Sequence, residues 1–296
     1  MMSKSLLVTG AAGQLGRAVI RHLLTTLKVP ATSIVATTRK PEQLQELAAQ
    51  GVTVRAADFD DPQSLAAAFA GAQRMLLIST DRLDRPGYRA EQHGRAIAAA
   101  EQAGVEHVVY TSMPKPENSP LLISPDHALT EAALQNSQLA GWTVLRNHWY
   151  FENLLMSLPQ ILGSGRWFTA DEGGGAADIS RDDLARAAAT VLAGDFTGQQ
   201  RFTLSGAKAL TKVEQAQIIS AALGKPIEVV QVPLEGLIQG MVGAGLPRPL
   251  AEVFASFDTN TAQGRVAEVT RDYQMITGAA PQSFADWVGT IKATLA

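Results

Sequence analysis

Thr9-Gly10-Ala11-Ala12-Gly13-Gln14-Leu15-Gly16 decides the fold of this chain. The stretch reads TGxxGxxG and follows a short apolar run, Leu6-Leu7-Val8. Beyond it, Leu15, Ala18, Val19, Leu23 and Leu24 recur at helical spacing. The order is strand, tight glycine turn, helix N-terminus. A turn of this kind brings bare backbone amides and a helix dipole up to a pyrophosphate. A glycine triplet alone says little, but this one has the flanking strand and helix that the motif requires. Gly10, Ala12, Gly13, Gln14 and Leu15 are its expected contacts.

Outward from the turn, the first half alternates short β-branched runs with Ala/Leu-rich amphipathic stretches. Strands are expected at 6–8, 34–37, 53–56, 75–78, 107–110 and 143–145, with helices at about 15–27, 41–50, 62–70, 87–103 and 125–140. Pro41, Pro62 and Pro125 fall near helix starts, where a missing amide is tolerated. Gly51, Gly71, Gly104 and Gly141 fall just past helix ends, as left-handed caps would. Uniformly apolar strands between helices imply a parallel sheet covered on both faces. The expected architecture is α/β: a Rossmann doubly wound parallel sheet, with a smaller mixed α/β C-terminal lobe. The Rossmann domain is placed at 1–153, rejoined by about 178–205, and the substrate lobe at 154–296, with a cleft shared between the lobes.

The second half is less regular. Helices are expected at 154–162, 182–192 and 211–223, the last with a Thr211/Glu214 capping box. Strands are expected at 202–204 and 227–232, and a helix in pieces over 236–257, broken near Gly245-Leu246-Pro247. The stretch 163–175 reads as a glycine-rich loop, with Gly173-Gly174-Gly175 either a flap or a plain surface turn.

Composition narrows the function classes. The chain has 296 residues, 46% of them apolar, and a net charge of -3 with both signs dispersed. Neither a nucleic-acid patch nor an anionic-membrane surface is indicated. With no cysteine, disulfides, thiol catalysis and cysteine-zinc sites are excluded. No metal site is expected. One lysine precedes only three apolar residues before the glycine turn, too short a run for a secretion signal. No run approaches the ~18 apolar residues of a membrane span. A soluble, cytoplasmic protein is the expectation.

The end of the second strand selects the dinucleotide. A bare ribose is usually held by an acid about 20 residues past the glycines. Here the segment reads Ala36-Thr37-Thr38-Arg39-Lys40, with no acid. A guanidinium pairs bidentately with a 2′-phosphate, so Arg39 points to NADP(H) over NAD(H). An exposed charge before a helix is the plainer alternative. Asp58 and Phe59 close the third strand, where the adenine would lie; the plainer alternative is a strand-end cap before the Asp60-Asp61-Pro62 helix start. Ile78, Ser79 and Thr80 end the fourth strand and Thr111 the fifth, where open parallel sheets bind ligands.

TGAAGQLG, Thr38-Arg39, Asp58-Phe59 and Tyr110-Thr111-Ser112 together resemble the NmrA-like group of atypical short-chain dehydrogenases/reductases. The segment Leu145-Arg146-Asn147-His148-Trp149-Tyr150-Phe151-Glu152-Asn153 is the most specific part of the likeness. Within that group the pattern is most similar to bacterial NAD(P)H:quinone oxidoreductases and triphenylmethane-dye reductases. The resemblance runs from about 5 to about 290 and is strongest over 5–20 and 143–153. It implies NADPH-dependent hydride transfer to a quinone, dye or similar conjugated acceptor, a small aromatic or quinonoid molecule. It also implies that Asn147 and Tyr150 face the nicotinamide and that Trp149 walls the substrate pocket. Thr80, Met113 and Trp149 are expected near the planar acceptor. A homodimer is a candidate assembly.

The wider superfamily uses a Tyr-x-x-x-Lys pair, which is absent. None of Tyr88, Tyr110, Tyr150 and Tyr273 has a lysine four residues on. His127 and Glu131 instead share one helix face, as i and i+4. One reading makes His127 a proton donor oriented by Glu131, with Tyr150 the other catalytic candidate. The other makes His127 a structural residue of the first helical turn. Acceptors that take hydride at a conjugated carbon need little enzymatic protonation, so such an enzyme does without the tyrosine. Two further functions remain open: a non-catalytic NAD(P)-sensing regulator, and a sugar-nucleotide epimerase or dehydratase, which the missing tyrosine-lysine chemistry disfavours.

Overall fold

The computed structural model describes residues 4–83 and 85–295. Its strands are β1 (Leu6–Val8), β2 (Ile34–Thr38), β3 (Thr53–Ala56), β4 (Arg74–Leu77), β5 (His107–Ser112), β6 (Gly141–Asn147), β7 (Arg166–Thr169), β8 (Gly175–Ala176), β9 (Gln199–Leu204), β10 (Leu210–Thr211) and β11 (Glu228–Gln231). Helices in the first half are α1 (Gln14–Arg21), α2 (Gln45–Ala49), α3 (Pro62–Phe69), α4 (Tyr88–Gln102) and α5 (Ser124–Gln135). Those in the second are α6 (Leu158–Ser164), α7 (Arg181–Ala193), α8 (Lys212–Leu223), α9 (Leu234–Gly243), α10 (Arg248–Ala262), α11 (Asp272–Thr277) and α12 (Phe284–Leu295). Among the described residues, no helix is long and apolar enough to cross a membrane.

Seven strands form one sheet in the order β3-β2-β1-β4-β5-β6-β9. The pairs β1/β2, β2/β3, β1/β4, β4/β5 and β5/β6 are parallel. This is the Rossmann sheet, and strand order reverses between β1 and β4. Leu6, Leu7 and Val8 are at most 2% exposed, and β2, β4 and β5 are buried throughout. Two-sided burial explains why these strands read as apolar runs rather than alternating ones. β9 joins through Trp142 N–H to Gly198 O (2.8 Å) and His148 N–H to Leu204 O (3.0 Å).

The chain divides into two compact units. The first is Met1–Met113, Pro125–Arg146 and Leu184–Phe202; the second is Pro114–Ser124, Asn147–Asp183 and Thr203–Ala296. The first centres on a core that includes Leu7, Leu65, Phe69, Met75, Ile97, Val108 and Trp142. Its returning segment is anchored by Arg74, which is 5% exposed. Arg74 Nε donates to Leu192 O (2.8 Å), Nη1 to Phe196 O (3.0 Å) and Nη2 to Val191 O (3.1 Å). One guanidinium thus satisfies orphan carbonyls at the end of α7. The second unit packs Phe151, Leu158, Trp167, Ile219, Phe284 and Trp287 in one cluster and Leu237, Ile238 and Ala251 in another.

Two readings of the sequence are corrected, and a third, left open, is narrowed. Gly141 is not a helix cap: α5 ends at Gln135, and Gly141 opens β6. It is glycine because a Cβ there would meet His107 Nδ1 at 2.6 Å and Gly198 O at 2.9 Å. The stretch 163–175 is not all loop: Arg166–Thr169 forms β7, parallel to β11, with alternating exposure. The three glycines at 173–175 form a pinned turn, not a flap. Gly174 N–H donates to Asp171 O (2.8 Å), and Gly175 pairs with Thr211.

His107, at the start of β5, makes stability pH-dependent. Its Nε2 lies 2.8 Å from Thr143 Oγ1. Burial first, then the charges of Arg74 and Lys4, press its pKa from 6.5 down to about 4. The folded state therefore favours the neutral ring, while the unfolded chain takes up a proton near pH ~6.5. This stabilisation is complete above that pH and is lost as pH falls toward about 4. Between pH 7 and pH 5, wild type should lose about 2 kcal/mol more than His107→Gln in urea unfolding. Equal losses would assign the acid sensitivity to other groups.

Candidate functional site

The glycine turn is built backbone against backbone. Thr9 N–H donates to Leu76 O (3.0 Å) and Ala11 N–H to Thr37 O (3.0 Å), tying the turn to β4 and β2. Gly10 has φ +60°, a left-handed conformation that favours glycine. Gly13 N–H donates to Gly10 O (2.9 Å). A Cβ on Gly16 would overlap Gly10 O and lie 2.8 Å from Ala11 Cα. Helix α1 therefore starts directly on the turn. Gly13 is its N-cap, no side chain caps it, and no acid stands in its first turn. The amides of Gln14, Leu15 and Gly16 have no intrahelical acceptor. They and the dipole leave an anion site that no side chain of the described residues caps. Arg17, which the sequence reading passed over, braces the turn: Nε donates to Ala12 O (3.2 Å), Nη2 to Gln43 O (2.6 Å), and Nη1 pairs with Glu46.

Arg39 is exposed at the bend just past β2, with no acid on that strand end. Asp58, just past β3, accepts from Asp60 N–H at Oδ1 (3.0 Å), while its own N–H donates to Ser64 Oγ (2.9 Å). Asp58 thus makes a strand-end cap before the helix start. Asp61 caps α3, accepting from Gln63 N–H (3.0 Å). Phe59 is half-buried against the first unit's core, and its carbonyl accepts from Arg95 Nε (2.6 Å).

The turn after β4 is held by side chains of its neighbours. Ile78 N–H donates to Thr9 Oγ1 (3.0 Å), and Ser79 N–H to Thr111 Oγ1 (2.9 Å). Thr9 and Thr111 thus consume amides here, so Ile78 and Ser79 have only side chains and carbonyls left to offer a ligand. Thr80 Oγ1 is buried without a hydrogen-bond partner among the described residues. Met113, 6% exposed, ends the first segment of this unit.

His127 and Glu131 share a helix but not a task. His127 is 4% exposed, with Nε2 3.2 Å from Arg89 Nη2 and Nδ1 2.8 Å from Tyr110 Oη. A guanidinium only donates, so Nε2 accepts and Nδ1 carries the proton toward Tyr110. Burial first, then the charges of Arg89 and His93, hold the His127 pKa well below 6.5. Glu131 accepts from Ser112 Oγ (2.6 Å), Arg146 Nη2 (2.7 Å) and Arg201 Nε (3.3 Å). It does not orient His127, and a neutral, buried imidazole has no spare proton for a substrate. This geometry favours the structural reading of His127. Tyr110 is fully buried, and burial pushes its phenol up, so it does not stand in for the missing catalytic tyrosine.

In the second unit, Asn147 is 9% exposed and its Oδ1 is buried without a partner among the described residues. Trp149 and Tyr150 follow in extended chain, pinned by Ile179 N–H to Trp149 O (3.0 Å) and a bridge between Tyr150 and Ile179. The Trp149 ring lies 3.8 Å from Phe257 and is stacked with Tyr150 at 6.4 Å. Arg181 Cζ lies 5.4 Å from the Tyr150 ring centroid. Among the described residues, no group of three or more His, Asp or Glu is placed to hold a metal.

In the first unit the residues present fit a dinucleotide: a cradle that a Cβ at Gly16 would fill, and a buried Thr80 hydroxyl without a partner among the described residues. Gly16→Ala should raise the Kd for NADPH at least ~10-fold in calorimetric titration, because the helix start must move off the turn. An unchanged Kd would show that this turn does not carry the pyrophosphate.

Comparison with known proteins agrees with the cradle. A family model described as NAD(P)H-binding matches residues 10–195. Quinone oxidoreductase 2 of Escherichia coli (strain K12) is 36% identical over 281 residues, covering 95% of this chain and 96% of that protein. An NAD(P)H azoreductase of Xenophilus azovorans is 30% identical over 283 residues, with 95% and 96% covered. Among solved structures, the Escherichia coli NADPH-dependent quinone oxidoreductase complexed with NADPH has a TM-score of 0.91 at 35% identity, covering 97% of this chain and 99% of that one. The Citrobacter sp. triphenylmethane reductase complexed with NADP(H) gives the same values. With its bare glycine-walled helix start and these full-length likenesses, the chain belongs to the NAD(P)H-binding family of oxidoreductases.

Proposed function

We propose that the protein is an NADPH-dependent reductase that passes hydride to a quinone, dye or similar conjugated acceptor. The observation that carries the reading is the uncapped start of α1 on its three-glycine turn, a site for a pyrophosphate. The relatives add the acceptor class: they are named as quinone, azo and triphenylmethane reductases.

NADPH, when bound, supplies the hydride. The chain's residues supply binding and orientation. The amides of Gln14, Leu15 and Gly16 hold the pyrophosphate, with Gly10, Ala12 and Gly13 letting the backbone approach. Arg39 holds the 2′-phosphate, and NAD(H) lacks that contact. Asp58 and Phe59 flank the adenine. Ile78, Ser79 and Thr80, with Thr111 behind them, and Asn147 serve the nicotinamide half. Trp149 offers a flat aromatic face to the acceptor, backed by Phe257, and Met113 an apolar one. Tyr150 orients the reacting rings. No side chain needs to protonate the product in the hydride step, because the conjugated acceptor delocalises the electron pair.

Three experiments test this. Purified protein should oxidise NADPH with members of a panel of quinones and cationic or azo dyes. Arg39→Ala should raise the Kd for NADPH about tenfold or more while leaving that for NADH within twofold. Turnover with no acceptor, or equal losses for both cofactors, would overturn the respective part. Tyr150→Phe should slow the single-turnover hydride step about tenfold with little change in cofactor Kd. An unchanged rate would remove its hydroxyl from the mechanism.

A further inference from the structure

Helix α4 grips the turn after β4 from one side. Thr80 N–H donates to His93 Nε2 (3.0 Å), and Arg89 Nε donates to Thr80 O (2.7 Å). His93 and Arg89 are i+4 and i on one helix face, 0% and 4% exposed. Both backbone groups of Thr80 are thus fixed by buried side chains. Its Oγ1 is the atom left without a partner among the described residues. We propose that Arg89 and His93 are positioning residues, clamping Thr80 so that its hydroxyl meets the nicotinamide half of the dinucleotide. The inference rests on the cofactor reading above.

The clamp has a defined proton order. Thr130 Oγ1 donates to Asp126 O (2.7 Å), which commits its proton. It therefore accepts from His93 Nδ1 (2.9 Å), and Nε2 is left bare to accept from Thr80. A charged His93 would set two N–H groups face to face. Burial first, then the Arg89 charge, keep its pKa at about 3, so the ring is neutral at working pH. Helix α5 in turn holds α4: Asp126 Oδ1 accepts from Ala90 N–H (3.2 Å) in the first turn of α4, and His127 accepts from Arg89. His127 thus backs Arg89.

Isosteres separate the clamp from general packing. Gln at 93 sets its amide oxygen near the place of Nε2 and keeps an acceptor for Thr80. Asn reaches only the place of Nδ1. Thr130→Val removes the acceptor that fixes the tautomer while conserving volume. Deuterium uptake over 76–83 in the cofactor-free protein should rise about tenfold in His93→Asn and in Thr130→Val. In the same two variants the NADPH Kd should rise and kcat fall, each about tenfold, with acceptor KM within twofold. His93→Gln should stay within about twofold of wild type on every readout. The proposal is overturned if Asn and Gln at 93 behave alike, or if uptake rises while Kd and kcat hold. Failure of the wild type to bind NADPH would instead strike the cofactor reading, since uptake over 76–83 reports the clamp without it.

Discussion

An anion can sit at a helix start only if the first amides are neither capped nor shielded. In this protein that condition is secured by contact between main-chain atoms. Gly16 packs on Gly10 and Ala11 at a distance no side chain permits, and Gly13 caps the helix with nothing but backbone. The rest of the first unit supports that contact. β2 and β4 hold the turn through Thr37 and Leu76, and Arg17 braces its outer carbonyl. Losing the close approach would leave the sheet intact but the cradle without its floor.

A second layer of order surrounds the cradle. Side-chain hydroxyls and imidazoles, not water, take up the amides at the end of β4: Thr9, Thr111 and His93 each accept one. Buried polar groups are expensive unless paired, so such a network fixes one geometry or none. Beside those three pairings, Thr80 Oγ1 is a buried hydroxyl without a hydrogen-bond partner among the described residues.

Much of this was legible in the sequence, and the limits have physical causes. β1, the glycine turn and α1 announce themselves because strand, turn and helix each have a distinct local chemistry. The apolar runs of β2, β4 and β5 follow from two-sided burial. β7 was missed because Trp167 and Phe168 sit among glycines and only two residues of the run face inward. Gly141 was misread because a close contact with His107 and Gly198 demands glycine as firmly as a left-handed cap does. The site shows the same divide. The cradle is local in sequence and could be read. The partners of His127 and Glu131 lie on β5, β6, β9 and α4, so spacing along one helix suggested a pairing that the tertiary structure does not make.

The seventh strand adds a constraint on how the chain is made. Every part of the cofactor motif on the first six strands has been synthesised by residue 147, yet β6 gains its outer neighbour only with β9, at Gln199–Leu204. Until then β6 is an open, largely buried-type edge, with the Trp142 amide and the Arg74 guanidinium lacking the carbonyls of Gly198, Leu192 and Phe196. Unpaired apolar edges template aggregation. A fragment ended after β6 would carry the complete glycine signature and still be poorly soluble. The nascent chain must therefore pass through more than fifty residues of synthesis in an adhesive state before its nucleotide-binding sheet is closed to neighbours.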